Sequence, residues 1–285
     1  MKSLLRSLSA LRFFALGVCV VSFGAPAAHA SFAIMPMETQ LKMPQDENRI
    51  TDEIEVFNGG DAPLHISSSV VDWKLTANGD YEYGEAGTEK SSCARWIQLN
   101  PPQFNVAPGS SVRVRYSISA PEAFSDERRA MIFFASRPIP VKGKNGMGVM
   151  IATRMGCKVF VSPSAPLAKN GTLSDMELQN TPAQRVRVSV QNGGSATFRA
   201  NGTLQVVDEA GRVVAQGALT SAQVVPQAQR NLWFDLPNPL PAGNYVIKAV
   251  VDYGVKQLIG GELKTKLLAA PTTADSAVVS TPSEQ

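Results

Sequence analysis

Charged and apolar residues alternate along much of this chain. Thr51-Asp52-Glu53-Ile54-Glu55-Val56-Phe57 and Val112-Arg113-Val114-Arg115-Tyr116-Ser117-Ile118 both carry the two-residue period of a half-buried β-strand. In the second segment Arg113 and Arg115 share one face, which reads as solvated, and Val112, Val114 and Tyr116 share the other. Ala130-Met131-Ile132-Phe133-Phe134 is a continuous apolar run, as expected of a strand covered on both faces. Met150 to Val161 is a further strand candidate, with Val149, Ile151 and Thr153 on one face. Arg185-Val186-Arg187-Val188-Ser189-Val190 alternates again, and Leu204–Val207, Val213-Val214, Tyr245–Val251 and Leu258–Leu267 supply more strands. No amphipathic helix interrupts this pattern.

Turn residues separate the runs. Asn58-Gly59-Gly60-Asp61, Asn78-Gly79-Asp80, Pro108-Gly109 and Asn145-Gly146 tolerate positive φ or fix a turn, and Asp208-Glu209-Ala210-Gly211 reads as a hairpin. Short strands at this spacing predict β-sandwiches. A weak internal repeat predicts two of them: Glu55-Val56-Phe57-Asn58-Gly59-Gly60 is echoed by Ser189-Val190-Gln191-Asn192-Gly193-Gly194, and Val106-Ala107-Pro108 by Val224-Val225-Pro226. The expected fold class is all-β, with two sandwich domains in tandem. The expected boundaries are 31–162 for the first domain, 163–171 for a linker rich in Pro and Asn-Gly, and 172–270 for the second domain. A disordered Pro/Ser/Thr-rich tail is expected over 271–285.

The start of the chain alters the charge argument. Lys2, Arg6 and Arg12, an apolar run from Phe13 to Phe23, and Ala28-His29-Ala30 make residues 1–30 a cleavable export signal. The formal charge of +3 resides in that segment, so the mature chain is near neutral and gives no reason to expect nucleic acid as a partner. No later stretch is long and apolar enough to be an integral membrane segment. Cys93 and Cys157 remain in the mature chain. In an oxidising compartment an even pair reads as a disulfide, closing a loop of about 65 residues and contributing about 4 kcal/mol. The alternative is two separate buried thiols.

Catalytic chemistry is not indicated. His65 is the mature chain's single histidine and sits out of phase with Leu64 and Ile66 in a strand pattern. One histidine and two distant cysteines make no metal set, and neither a phosphate loop nor a nucleophile elbow is present, so no metal, no cofactor and no enzymatic activity are expected. Tyr245, Tyr253 and Trp233 could offer stacking faces to a sugar, but core packing accounts for them better. Strand addition is the more promising chemistry. The polar loop Lys142-Gly143-Lys144-Asn145-Gly146 leads into Met147-Gly148-Val149-Met150-Ile151-Ala152-Thr153, and an edge strand there would expose unpaired backbone groups to a partner. Periodicity by itself favours Val149 and Ile151 packing in the chain's own core.

Several segments resemble a known family. Phe124-Ser125-Asp126-Glu127-Arg128-Arg129-Ala130-Met131-Ile132-Phe133-Phe134-Ala135-Ser136-Arg137-Pro138-Ile139-Pro140 is similar to the sixth-strand segment of PapD-like periplasmic pilus (fimbrial) chaperones. Pro108–Val114, Lys158-Val159-Phe160-Val161-Ser162-Pro163 and Asp252-Tyr253-Gly254 resemble further pieces of that family in the same order. The resemblance implies two immunoglobulin-like domains set as a boomerang, residence in the periplasm, and pilin-like subunits and an outer-membrane usher as partners. It implies that residues 147–153 lend a strand to an unfinished subunit, with Met147, Val149, Ile151 and Thr153 as the subunit-binding residues, and that Asp252 is an interdomain residue.

Departures accompany the likeness. Gly156 stands where the family has a carboxylate-binding lysine, which leaves Arg154 and Lys158, two residues either side, as candidate carboxylate anchors. The first strand, Phe32 to Leu41, has no arginine, and Arg129 and Ser162 stand where partners of Asp252 are expected. These departures keep open a second class of function, a structural or adhesive Ig-like surface or pilus subunit.

Overall fold

The computed structural model describes residues 32–142, 148–180 and 183–268. The expected leader, Met147 and the expected tail lie outside them. The first body contains β1 (Phe32–Met35), β2 (Glu38–Lys42), β3 (Arg49–Asn58), β4 (Leu64–Leu75), β5 (Tyr81–Gly84), β6 (Ile97–Asn100), β7 (Gln103–Val106), β8 (Ser111–Ser119), β9 (Arg128–Ser136), β10 (Ile139–Lys142), β11 (Gly148–Ile151) and β12 (Arg154–Ser162). The second contains β13 (Gly171–Gln179), β14 (Arg185–Asn192), β15 (Phe198–Asp208), β16 (Val213–Ala218), β17 (Ala222–Val224), β18 (Gln229–Asp235), β19 (Gly243–Asp252) and β20 (Ile259–Leu267).

Each body is a sandwich of two sheets. In the first, β1-β3-β8-β6 faces β2-β12-β9-β4-β5, with β7 also on β4. In the second, β13-β14-β18 faces β16-β15-β19-β20, with β17 on β15. The alternation read from sequence selects the inner faces: Ile54 and Val56 of β3, and Val114, Tyr116 and Ile118 of β8, enter one core, while Val186, Val188 and Val190 of β14 enter the other. Arg113 stays outside, 3.3 Å from Glu53 across the β3–β8 pair. Strand β9 is buried on both faces, as its unbroken apolar run predicts. Ala130, Ile132 and Phe134 face the first core. Met131 and Phe133 pack on the opposite face with Trp73, Phe160 and Val225, the last from the second body.

The Asn-Gly-Gly echo has a physical meaning. Asn58 is fully buried; its amide donates to Ala62 O (2.8 Å) and Val106 O (3.0 Å), and its carbonyl accepts from Gly60 N. Asn192 repeats the device on Ala196 O, Val224 O and Gly194 N. In each body one side-chain amide satisfies backbone groups that two strand ends would otherwise bury unpaired. Gly194 cannot be replaced cheaply, because a Cβ there would lie 2.4 Å from Ala168 O.

Two expectations need correction. Cys93 and Cys157 are both buried free thiols rather than a disulfide. The Cys93 N–H donates to Arg129 O on one side of β9, whereas Cys157 pairs with Ile132 on the other side. That is about 10 Å along the strand and about 10 Å across it, against the roughly 4–7 Å between Cα atoms that a bridge spans. The strand expected from Met150 to Val161 is also interrupted. The Arg137 N–H turns to His65 O, Pro138 has no N–H to offer, and pairing resumes only at Ile139↔Ile151, so β11 and β12 are separate.

Candidate functional site

The hairpin that continues β9 and β12 leaves the sandwich. β10 and β11 pair only with each other, antiparallel, as a two-stranded ribbon. Beyond it, β12 is held on one side by β9 along its length, and on the other by parallel β2 only from Lys158 onward. Among the described residues, Gly148–Ile151 and Arg154–Cys157 therefore have one unpaired edge. Val149 is 50 % exposed, Met150 62 % and Ile151 36 %, so none of the three belongs to the chain's own core. Thr153 lies between the two strands; its N–H donates to Ser136 Oγ and its carbonyl accepts from Ser136 N.

Arg154, Gly156 and Lys158 share one face of β12, and the structure gives the two cations different circumstances. Lys158 Nζ lies 2.5 Å from Glu38 Oε2 on β2 and 3.2 Å from Gln223 Oε1 of the second body. Burial alone would raise the Glu38 carboxyl, but the Lys158 ammonium and the Gln40 amide outweigh it and hold the pKa below the usual carboxylate range. Lys158 is thus neutralised within the chain. Arg154 is exposed, makes no ion pair among the described residues, and lies with its guanidinium 3.5 Å from the Phe133 ring centroid. Between them Gly156 leaves room for the neighbouring strand: a Cβ there would sit 2.7 Å from Met131 Sδ and 2.9 Å from the Phe133 ring. That space is filled by β9 side chains instead of a lysine.

An aromatic surface continues from Arg154. Tyr83 meets Phe133 edge-on at 5.0 Å and stacks on Tyr81 at 6.0 Å, and both tyrosines are about half exposed. This surface was not singled out from the sequence, although the alternation Tyr81-Glu82-Tyr83 places both rings on one side of a strand. Its strand is carried by a segment tied to Asp72. That carboxylate, on β4, accepts from Thr88 N (2.7 Å), Glu89 N (2.8 Å) and Ser92 Oγ. Burial would raise the Asp72 pKa, but these donors bring it below the usual aspartate value.

The remaining predicted positions take local roles. Asp252 is exposed at the end of β19, where it accepts from Gly254 N at 2.7 Å; among the described residues it makes no hydrogen bond to the first body. The bodies are joined elsewhere, by Glu127 with Ser195 and Thr197, and by Asn231 with Ala77 and Asn78. His65 Nδ1 lies 2.9 Å from Asn105 Oδ1. Tyr245 and Tyr253 are buried in the second core, and Arg185 lies over the Trp233 ring. Among the described residues no group of three or more His, Cys, Asp or Glu could hold a metal ion, and no helix is long and apolar enough to cross a membrane.

Residues 33–166 match the family model of the pili and flagellar-assembly chaperone, PapD N-terminal domain. No curated protein matches the chain. Similar solved structures include the class 5 fimbriae chaperone CfaA, 12 % identical over 85 % of this chain and 100 % of that one, with a TM-score of 0.46. The E. coli chaperone DraB is 18 % identical over 85 % and 97 % of the two chains, with a TM-score of 0.40. A chain of the Salmonella enterica SafA pilin–SafB chaperone complex is 14 % identical over 84 % and 99 %, with a TM-score of 0.46.

Proposed function

Through residues 33–166 this chain belongs to the PapD-like family of pilus-assembly chaperones, and from that membership we propose that it captures unfinished pilin-like subunits by lending them an edge strand. The unpaired edge of Gly148–Ile151 and Arg154–Cys157, with Val149 and Ile151 standing out of the core, carries the proposal. Half of the residues of such an edge point both backbone groups outward, so a full partner strand adds roughly eight hydrogen bonds at about 1 kcal/mol each. Burying the exposed parts of Val149 and Ile151 adds about 1–2 kcal/mol apiece. Together these exceed the lower range of the cost of association, about 4 kcal/mol upward. Arg154, with no ion pair among the described residues, offers a planar cation beside that edge for a carboxylate of the subunit, such as its chain terminus. In this reading the chaperone works in the periplasm and passes its cargo to an outer-membrane usher.

The test is Val149→Asp with Ile151→Asp, using a pilin-like subunit co-expressed with the chain. Capture should be lost, because strand addition would bury two unpaired carboxylates. The melting temperature of the free chaperone should not change, since neither side chain packs in its core. Capture at the wild-type level would refute the proposal.

A further inference from the structure

Between the two bodies, where the end of β4 meets the start of β9, lies a cavity of about 560 Å³. Its apolar wall includes Leu75 and Ala77 of the first body and Pro226 and Ala228 of the second. Its polar lining includes Lys74, Lys90, Arg128 and Arg129 with the carboxylates of Glu89, Asp126 and Glu127, and Arg129 is the buried one of the four cations. This residue is only 7 % exposed, yet it has no ion-pair partner among the described residues, and its Nη1 donates to nothing there. The guanidinium is held from behind: Nε donates to Trp73 O at 3.4 Å, and the Trp73 ring centroid lies 5.5 Å away. Arg128, beside it, also leaves a buried Nε unpaired.

Three carboxylates line the wall, Glu89, Asp126 and Glu127, and among the described residues none makes an ion pair with Arg128 or Arg129. Glu127 accepts from Thr197 N and Oγ1, and burial moves its pKa up from the usual carboxylate value. Glu89 leans toward Lys74 at 3.9 Å. Burial outweighs the nearby carboxylates in moving the Arg129 pKa down, as expected of a cation short of compensating charge. A second feature marks the rim. Gln227 holds φ at +61°, among the described residues the one such value outside glycine, in a turn opened by Pro226 and closed by Ala228 N to Val225 O. Glycine is the unstrained choice there, and strain of this kind gathers at functional sites.

We propose that this cavity is a binding site for a small organic carboxylate with an apolar body, its head on Arg129 and its body against the Leu75–Ala228 wall. A buried guanidinium with an open donor is costly alone and favourable when a carboxylate meets it. Because both bodies line the cavity, an occupant would also brace one against the other.

Titration calorimetry of the full chain with matched probes tests the proposal independently of subunit capture. Benzoate and hexanoate should bind saturably; benzamide and hexanamide should not. Arg129→Met should weaken benzoate at least tenfold. Ala228→Trp, which keeps Arg129 and fills the cavity, should do the same and decides the matter if Arg129→Met fails to fold. Absence of saturable benzoate binding, equal binding of the amides, or wild-type binding by Ala228→Trp would each overturn the proposal.

Discussion

Two cations flank Gly156 on β12, and their surroundings predict opposite mutational outcomes. Removing Arg154 takes away an exposed guanidinium with no carboxylate partner among the described residues. A charge-assisted hydrogen bond to a subunit carboxylate contributes about 1.5–3 kcal/mol, or roughly tenfold to a hundredfold in Kd. Arg154→Ala should cost that much in capture. It should cost under about 1 kcal/mol in the chaperone's own stability, the worth of an exposed cation–π contact. Arg154→Lys keeps the charge and loses the planar fork, so it should recover part of the affinity. Lys158→Ala should behave in reverse. Its ammonium is committed to Glu38 and Gln223, so capture should stay within about threefold, while a partly exposed ion pair worth about 0–1 kcal/mol is lost from the fold. Surface-immobilised chaperone variants titrated with a purified pilin-like subunit, alongside denaturant melts of each variant alone, separate the two effects. Loss of capture in Lys158→Ala with wild-type capture in Arg154→Ala would refute the reasoning.

Asn58→Ala and Asn192→Ala each remove three hydrogen bonds and strand a buried carbonyl, which should cost about 2–3 kcal/mol apiece in denaturant melts. The two sites share no partners, so the costs should add in the double variant. Asp72 has a folded pKa below its unfolded value of about 3.9, so its contribution is present above that pH and lost as pH falls through the depressed folded value. Asp72→Asn should therefore be less stable at pH 7 and show a flatter acid limb in melts between pH 5 and pH 2. Cys93 and Cys157 should both react with an alkylating reagent once the chain is unfolded without reductant, and resist it when folded, since burial pushes the Cys157 thiol up to about 12 and the Cys93 thiol higher still. Mass spectrometry of the labelled chain would reveal a disulfide instead if the thiols were absent.

The chain's own pattern determined the all-β class and the two sandwiches, because a two-residue period and Asn-Gly-Gly turns act within a few residues of themselves. It determined which side of β3, β8 and β14 faces inward, and that β9 is covered twice. Only the tertiary structure decided what depends on neighbours far away in sequence. Whether Val149 and Ile151 sit in a core or on a free ribbon turns on Arg137 and Pro138 breaking the pairing and on β2 reaching only to Lys158. Which cation lacks a carboxylate among the described residues turns on Glu38 lying across a parallel strand pair from Lys158 and not from Arg154. Two cysteines in one core stay unbonded because β9 runs between them. Periodicity reports which face a side chain takes, while register and strand order report what it meets there, and those are set by contacts between residues tens of positions apart.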